Sequence, residues 1–158
     1  MKLLFAVTAC FVSTITVALA QDLPSLPLRP AKAMERKAAI LSIQTQLKAF
    51  ARDDYKTAML YQSAGLRKNF ASPDAFRTMM VRIYPEFAHY KRIQFGAAQA
   101  DTHGAHIALQ AVVTGQDGVT VHAIYLLVRE GKTYRIEGVQ GGAQDPVDNG
   151  PGIPGQDV

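Results

Sequence analysis

Residues 119–139 constrain the fold more than any other part of the chain. They read Val-Thr-Val-His-Ala-Ile-Tyr-Leu-Leu-Val-Arg, then Glu-Gly-Lys, then Thr-Tyr-Arg-Ile-Glu-Gly-Val. β-Branched and aromatic residues flank a short glycine turn, which is the pattern of a hairpin. Upstream, to about residue 84, the apolar residues recur at helical spacing instead. Helices first and antiparallel strands last is the order of an α+β domain.

The first helix is expected over about Ala31 to Arg52, with Ile40, Ile43, Leu47 and Phe50 on one stripe. Asp53-Asp54 interrupts it and offers an N-cap for a short second helix through about Tyr61, which Gln62-Ser63-Ala64-Gly65 ends. Ser72-Pro73-Asp74 combines a capping hydroxyl, proline at the first position and an acid in the first turn. It starts a third helix carrying Phe76, Met79, Met80 and Ile83, and Tyr84-Pro85 stops it.

After Phe87 the period becomes two, with strands expected near 89–100, 105–115, 119–129 and 133–139. If Asp117-Gly118 is a two-residue turn, Val113 faces His122, Ala111 faces Ile124 and Leu109 faces Leu126. If Gly131 takes the left-handed position of a three-residue loop, Leu126 faces Tyr134, Ile124 faces Ile136 and His122 faces Gly138. The interior face then holds Leu109, Ile124, Leu126, Tyr134, Ile136 and one imidazole, His122. The other face holds Gln110, Tyr125, Arg135 and Glu137 with Val112, Val121 and Leu127. That second face is half apolar, and a sheet-to-sheet homodimer contact is expected there.

The first twenty residues have the layout of a secretory leader: Lys2, an apolar run from Leu3 to Val17, and Ala18-Leu19-Ala20 as a small-x-small cleavage site. The run is shorter than the roughly 20 residues a membrane span needs. Val7-Thr8-Ala9-Cys10 resembles a lipoprotein box, but too few apolar residues precede it. Cleavage near Ala20 implies a periplasmic or secreted protein and removes Cys10, the one cysteine. That excludes disulfides, a cysteine nucleophile and cysteine metal ligands. Residues 21–30, with three prolines, read as a spacer. Residues 140–158, rich in Gly and Pro with no apolar rhythm, read as a disordered tail. The expected domain is therefore 31–139. Thirteen Lys/Arg stand against six acids from Gln21 to Arg92, and three against seven from Ile93 onward. Export argues against nucleic acid as a partner, and a basic helical half suits an anionic surface or plain solvent.

Several segments carry a family resemblance. They are Ile43-Gln44-x-Gln46-Leu47-x-Ala49-Phe50, Asp53-Asp54, Ser72-Pro73-Asp74-Ala75-Phe76, Met79-Met80-Val81, Tyr84-Pro85 and Tyr134-Arg135-Ile136-x-Gly138-Val139. Over about Ile40 to Val139 the chain resembles an uncharacterised bacterial family, domain of unknown function 4864, within the nuclear transport factor 2-like (SnoaL-like) group. Tyr134 stands where that family's pattern has Trp, and Gln62-Ser63-Ala64 where it has a small-Ser-Pro turn. The resemblance implies a cone, with three N-terminal helices on the concave face of a four-stranded antiparallel sheet, and implies no particular activity.

Such a cone can hold a pocket, and the candidate ligand-binding residues are Asp54, Tyr55, Tyr61, His122 and Tyr134. His122 is the one ionisable group expected on the interior face, although a histidine there is more often a hydrogen-bonded structural residue. Asp54 is explained by capping and Tyr55 by core packing. Members of the fold resembling ketosteroid isomerase use a carboxylate base with Tyr and acid oxyanion donors, and no interior strand position supplies such a carboxylate here. His103-x-x-His106 is not a metal pair, because i and i+3 on a strand point to opposite faces. No cofactor motif is present. The expected function is non-catalytic binding of a small apolar or amphipathic ligand, or protein interaction. The alternative is a SnoaL-like or isomerase-like enzyme using Asp54 and His122 as an acid-base pair.

Overall fold

The computed structural model describes residues 27–143. The expected leader, most of the spacer and the tail beyond residue 143 lie outside the described residues. In chain order the elements are β1 (Arg29–Pro30), α1 (Ala33–Phe50), α2 (Tyr55–Leu60), α3 (Ala64–Arg67), α4 (Pro73–Ile83), α5 (Pro85–Ala88), β2 (Tyr90–Ala100), β3 (His106–Gly115), β4 (Thr120–Glu130) and β5 (Thr133–Ala143). The fold is α+β. The five strands form one antiparallel sheet in sequence order, and the helices pack on one of its faces.

Local chemistry sets the helix boundaries. Asp54 caps α2 by accepting from the Thr57 N–H, and Ser72 caps α4 by accepting from the Ala75 N–H. Two further short helices appear where loops were expected. Ser63 caps α3 through the Leu66 N–H, and Pro85 restarts the chain as α5 directly after α4. Two residues of the expected spacer form β1, which pairs with the end of β2 and makes five strands rather than four. β5 continues four residues past the expected boundary, to Ala143.

The register differs from expectation at both turns. The first turn has three residues, Gln116, Asp117 and Gly118, with the Gly115 N–H donating to the Val119 carbonyl at 2.8 Å. Gly118 takes the left-handed conformation, φ +88°. The pairs are therefore Val113 with Val121, Ala111 with Ala123 and Leu109 with Tyr125. One added loop residue turns every β4 side chain to the opposite face. Val121, Ala123, Tyr125 and Leu127 point to the helices and are buried, whereas His122, Ile124 and Leu126 lie on the outer face. The second turn has two residues, Gly131 and Lys132, with Gly131 at φ +63°. It is one residue shorter than expected, so the two differences cancel and Tyr134 and Ile136 point inward after all.

The core lies between α1 and the inner sheet face. Ala39, Ile43, Leu47 and Phe50 meet Ile107, Leu109, Val113, Leu127 and Ile136. Phe50, Tyr55, Phe70 and Phe76 form a ring cluster with centroid separations of 4.9–5.9 Å, and Phe87 stacks edge-on against Tyr125.

A polar knot closes one end of the sheet. Arg29 grips Glu35 with two guanidinium hydrogen bonds of 2.8 Å, and the Lys32 N–H donates to the same carboxylate. The buried Asp101 accepts from the backbone N–H groups of Ala105 and His106 and pairs with the His106 Nδ1 at 3.0 Å. The Tyr134 hydroxyl donates to the Gly104 carbonyl and accepts from Arg129. The Arg29 hydrogen bonds hold the Glu35 pKa down to about 2. Burial works against the Asp101 charge, but the hydrogen bonds from His106 and Ala105 outweigh it and leave its pKa below the ordinary value.

Both acids thus have depressed folded-state pKa values. Their stabilisation is complete above the ordinary carboxylate range and is withdrawn as pH falls through it toward 2. The urea midpoint should decline from about pH 5 downward, and Glu35→Gln should lower stability at neutral pH and flatten that decline. An unchanged slope in Glu35→Gln would contradict the role given to this pair.

Candidate functional site

The five candidate residues do not converge. Asp54 is occupied as a helix cap, and the Thr57 hydrogen bonds lower its pKa. Tyr55 is buried in the ring cluster, which pushes its pKa up. Tyr61 lies under the Arg135 guanidinium, 5.4 Å from its ring centroid. Tyr134 is buried, with its hydroxyl bound to Gly104 and Arg129. His122 is exposed on the outer face, opposite Gly142 rather than Gly138. The expectation of an imidazole inside the sheet is therefore corrected, because the three-residue turn reverses β4. Asp54 belongs to the helical layer and His122 to the far side of the sheet, so they form no acid-base pair. Among the described residues, no group of three or more His, Cys, Asp or Glu is placed to hold a metal ion.

The structure brings a different set together. A cavity of about 340 Å³ lies between α3, α4 and α5 on one side and β5 on the other. Leu66, Phe70, Phe76, Met79, Met80 and Phe87 form the helical wall, Tyr84 stands at 38% exposure, and Ile136, Gly138 and Val139 form the strand wall. The one polar side-chain amide among the lining residues is that of Gln62.

Three features of the chain open this space. α4 packs chiefly on α2 and α5 and leaves the later part of β5 uncovered. β5 carries a bulge at Glu137, between the Leu127–Ile136 and Leu126–Gly138 pairs. Gly138 then supplies no side chain, and a Cβ built there meets no heavy atom within 4 Å. Gln62 is held at the rim of β5 by two backbone hydrogen bonds, Ser63 N–H to the Ile136 carbonyl at 2.7 Å and Ile136 N–H to the Tyr61 carbonyl at 2.8 Å. Its side chain is 3% exposed, and its amide oxygen is buried with no hydrogen-bond partner among the described residues. An orphaned acceptor of this kind costs about 1–3 kcal/mol.

A second depression, about 430 Å³, lies on the outer face and is lined by Gly96, Gln110, Val112, His122, Ile124 and Gln140, among others. Strands alone bound it. The cavity beside Gln62 is walled by two layers, so a molecule there would lose more contact with water.

The family model for a domain of unknown function (DUF4864) matches residues 33–146. The chain belongs to this family. The match covers α1 through β5, and so includes every wall of the cavity and the whole polar knot except Arg29 and Lys32. No curated protein and no solved structure matches the chain.

The sequence signal that marks this site is Gln62. In Gln62-Ser63-Ala64-Gly65 it reads as part of a helix end, and only the bridge to β5 reveals that it is buried. Replacing the orphaned amide by a hydrocarbon of similar size removes a cost without removing a bond. Gln62→Leu should therefore raise stability by about 1–3 kcal/mol in urea unfolding. A destabilisation of that size would mean that the amide is already satisfied within the protein.

Proposed function

We propose that this domain is a nuclear transport factor 2-like cone that binds a small, uncharged, mainly apolar molecule between its helices and β5, without catalysis. The observation that carries the proposal is the two-layer apolar cavity lined by Gln62, whose buried amide oxygen has no hydrogen-bond partner among the described residues. Helices confined to one face support the cone reading, as do the irregularities in β2 and β5 that bend the sheet.

The lining favours one class of ligand. The volume suits a molecule of one or two rings or a short chain. No lining residue is charged. A carboxylate or ammonium would give up its hydration there with no counter-charge, at a cost of several kcal/mol. A ligand hydroxyl or N–H would instead meet the Gln62 oxygen once the amide, now buried, turned toward the cavity. Met79 and Met80 give the helical wall flexible side chains that adapt to shape. The dispersal of Asp54 and His122 leaves the acid-base alternative without its pair.

Three related probes separate these terms: naphthalene, 1-naphthol and 1-naphthoate. In a fluorescence titration, naphthalene and 1-naphthol should bind and 1-naphthoate should not. The hydroxyl should tighten binding by roughly 2- to 10-fold over naphthalene. Gly138→Leu should fill the empty volume and abolish uptake while the far-UV circular dichroism is retained. Equal binding of 1-naphthoate and 1-naphthol, or full affinity in Gly138→Leu, would refute the proposal.

A further inference from the structure

We infer that the outward stripe of α1 docks the protein on an anionic lipid bilayer. Met34, Lys37, Leu41, Thr45 and Lys48 follow one another at three- and four-residue steps and so share one helix face, and Arg52 continues the series just beyond the helix end. Met34 is 76% exposed and Leu41 65%. Lys37, Lys48 and Arg52 are exposed beside them. The Thr45 hydroxyl turns back to the Leu41 carbonyl at 2.7 Å and so is already committed as a donor. α2 packs against α1 and repeats the pattern, with Lys56 and Leu60 both exposed.

The nearby acids are all engaged elsewhere. Between residues 31 and 60, six Lys/Arg stand against three acids. Glu35 is turned away to Arg29, Asp53 pairs with Arg77 at 2.7 Å, and Asp54 caps α2. The stripe therefore presents cations and aliphatic groups, and each of the three carboxylates between residues 31 and 60 is engaged elsewhere.

The interleaving selects the partner. A polyanion such as an acidic protein or a nucleic acid would meet the lysines and leave Met34 and Leu41 in water. The headgroup layer of an anionic bilayer takes both: phosphates meet the cations while the two aliphatic side chains reach the acyl boundary. Lysine stems also lie along such a boundary with their ammonium groups in water. The helix would rest in the plane of the surface. Among the described residues no helix is long and apolar enough to cross a membrane, so this contact is peripheral. It does not depend on the ligand reading of the cavity.

Vesicle co-sedimentation tests the inference. The protein should bind phosphatidylcholine vesicles containing about 30% phosphatidylglycerol at low salt and release them near 0.5 M salt, roughly where screening is short-ranged. It should not bind phosphatidylcholine alone. Lys37→Glu/Lys48→Glu should weaken binding by about tenfold or more. Met34→Ser/Leu41→Ser should weaken it by about fivefold. All four side chains are exposed, so each variant should keep the wild-type circular dichroism spectrum. Equal binding to neutral and anionic vesicles would overturn the inference, as would no binding at low salt. Unchanged binding in Met34→Ser/Leu41→Ser would also overturn it, because it would mark a surface that recognises charge alone.

Discussion

The three-residue turn at Gln116, Asp117 and Gly118 is the constraint from which the rest of this structure follows. Its length decides which side of β4 meets the helices. The turn is anchored three ways: the Gly115 N–H bonds to Val119, the Asp117 carboxylate accepts from the Val119 N–H, and the Gln116 N–H reaches the His89 carbonyl just after α5. The last bond ties the hairpin to the helical layer directly. With this register Tyr125 and Leu127 enter the core and Phe87 finds an aromatic partner. With the other register His122 would be driven toward an apolar interior with nothing there to solvate it.

Much of the architecture was legible because local chemistry carries it. Ser72-Pro73 and Asp54 start helices by satisfying exposed N–H groups, and the structure uses both as caps. The apolar stripe of α1 reports the buried face of a long helix, and Ile43 and Leu47 are fully buried. The strands were legible from their period. The register was not, and the reason is specific to β4. Val121, Ala123, Tyr125 and Leu127 are apolar, but so are Ile124, Leu126 and Val128 on the opposite face. A strand that is apolar on both sides gives no preference between faces. Asp-Gly fits a two-residue turn, and it equally fits the last two places of a three-residue turn with glycine left-handed.

The candidate site was less legible than the fold, because it is built by absence. Gly138 omits a side chain, the bulge at Glu137 shifts the strand, and α4 leans on its neighbouring helices rather than on β5. None of these leaves a motif. Two of the residues that looked chemical have structural partners: Asp54 caps α2, and the Tyr134 hydroxyl bonds to Gly104 in the polar knot. Gln62 looked structural and is the one side-chain amide among the residues that line the cavity. A parallel bridge between Gln62 and Ile136, 74 positions apart, places it there, and a contact so distant in sequence has no local signature.

The face presented by β4 can be read directly by thiol reactivity. The described residues contain no cysteine, so single cysteines placed in a Cys10→Ser background report without interference. The register predicts that His122→Cys reacts with a thiol reagent almost as fast as an unfolded peptide, whereas Ala123→Cys reacts at least about 100-fold more slowly, through opening of the fold. Fast labelling of Ala123→Cys with protection of His122→Cys would reverse the sheet, return the imidazole to the interior, and contradict the account.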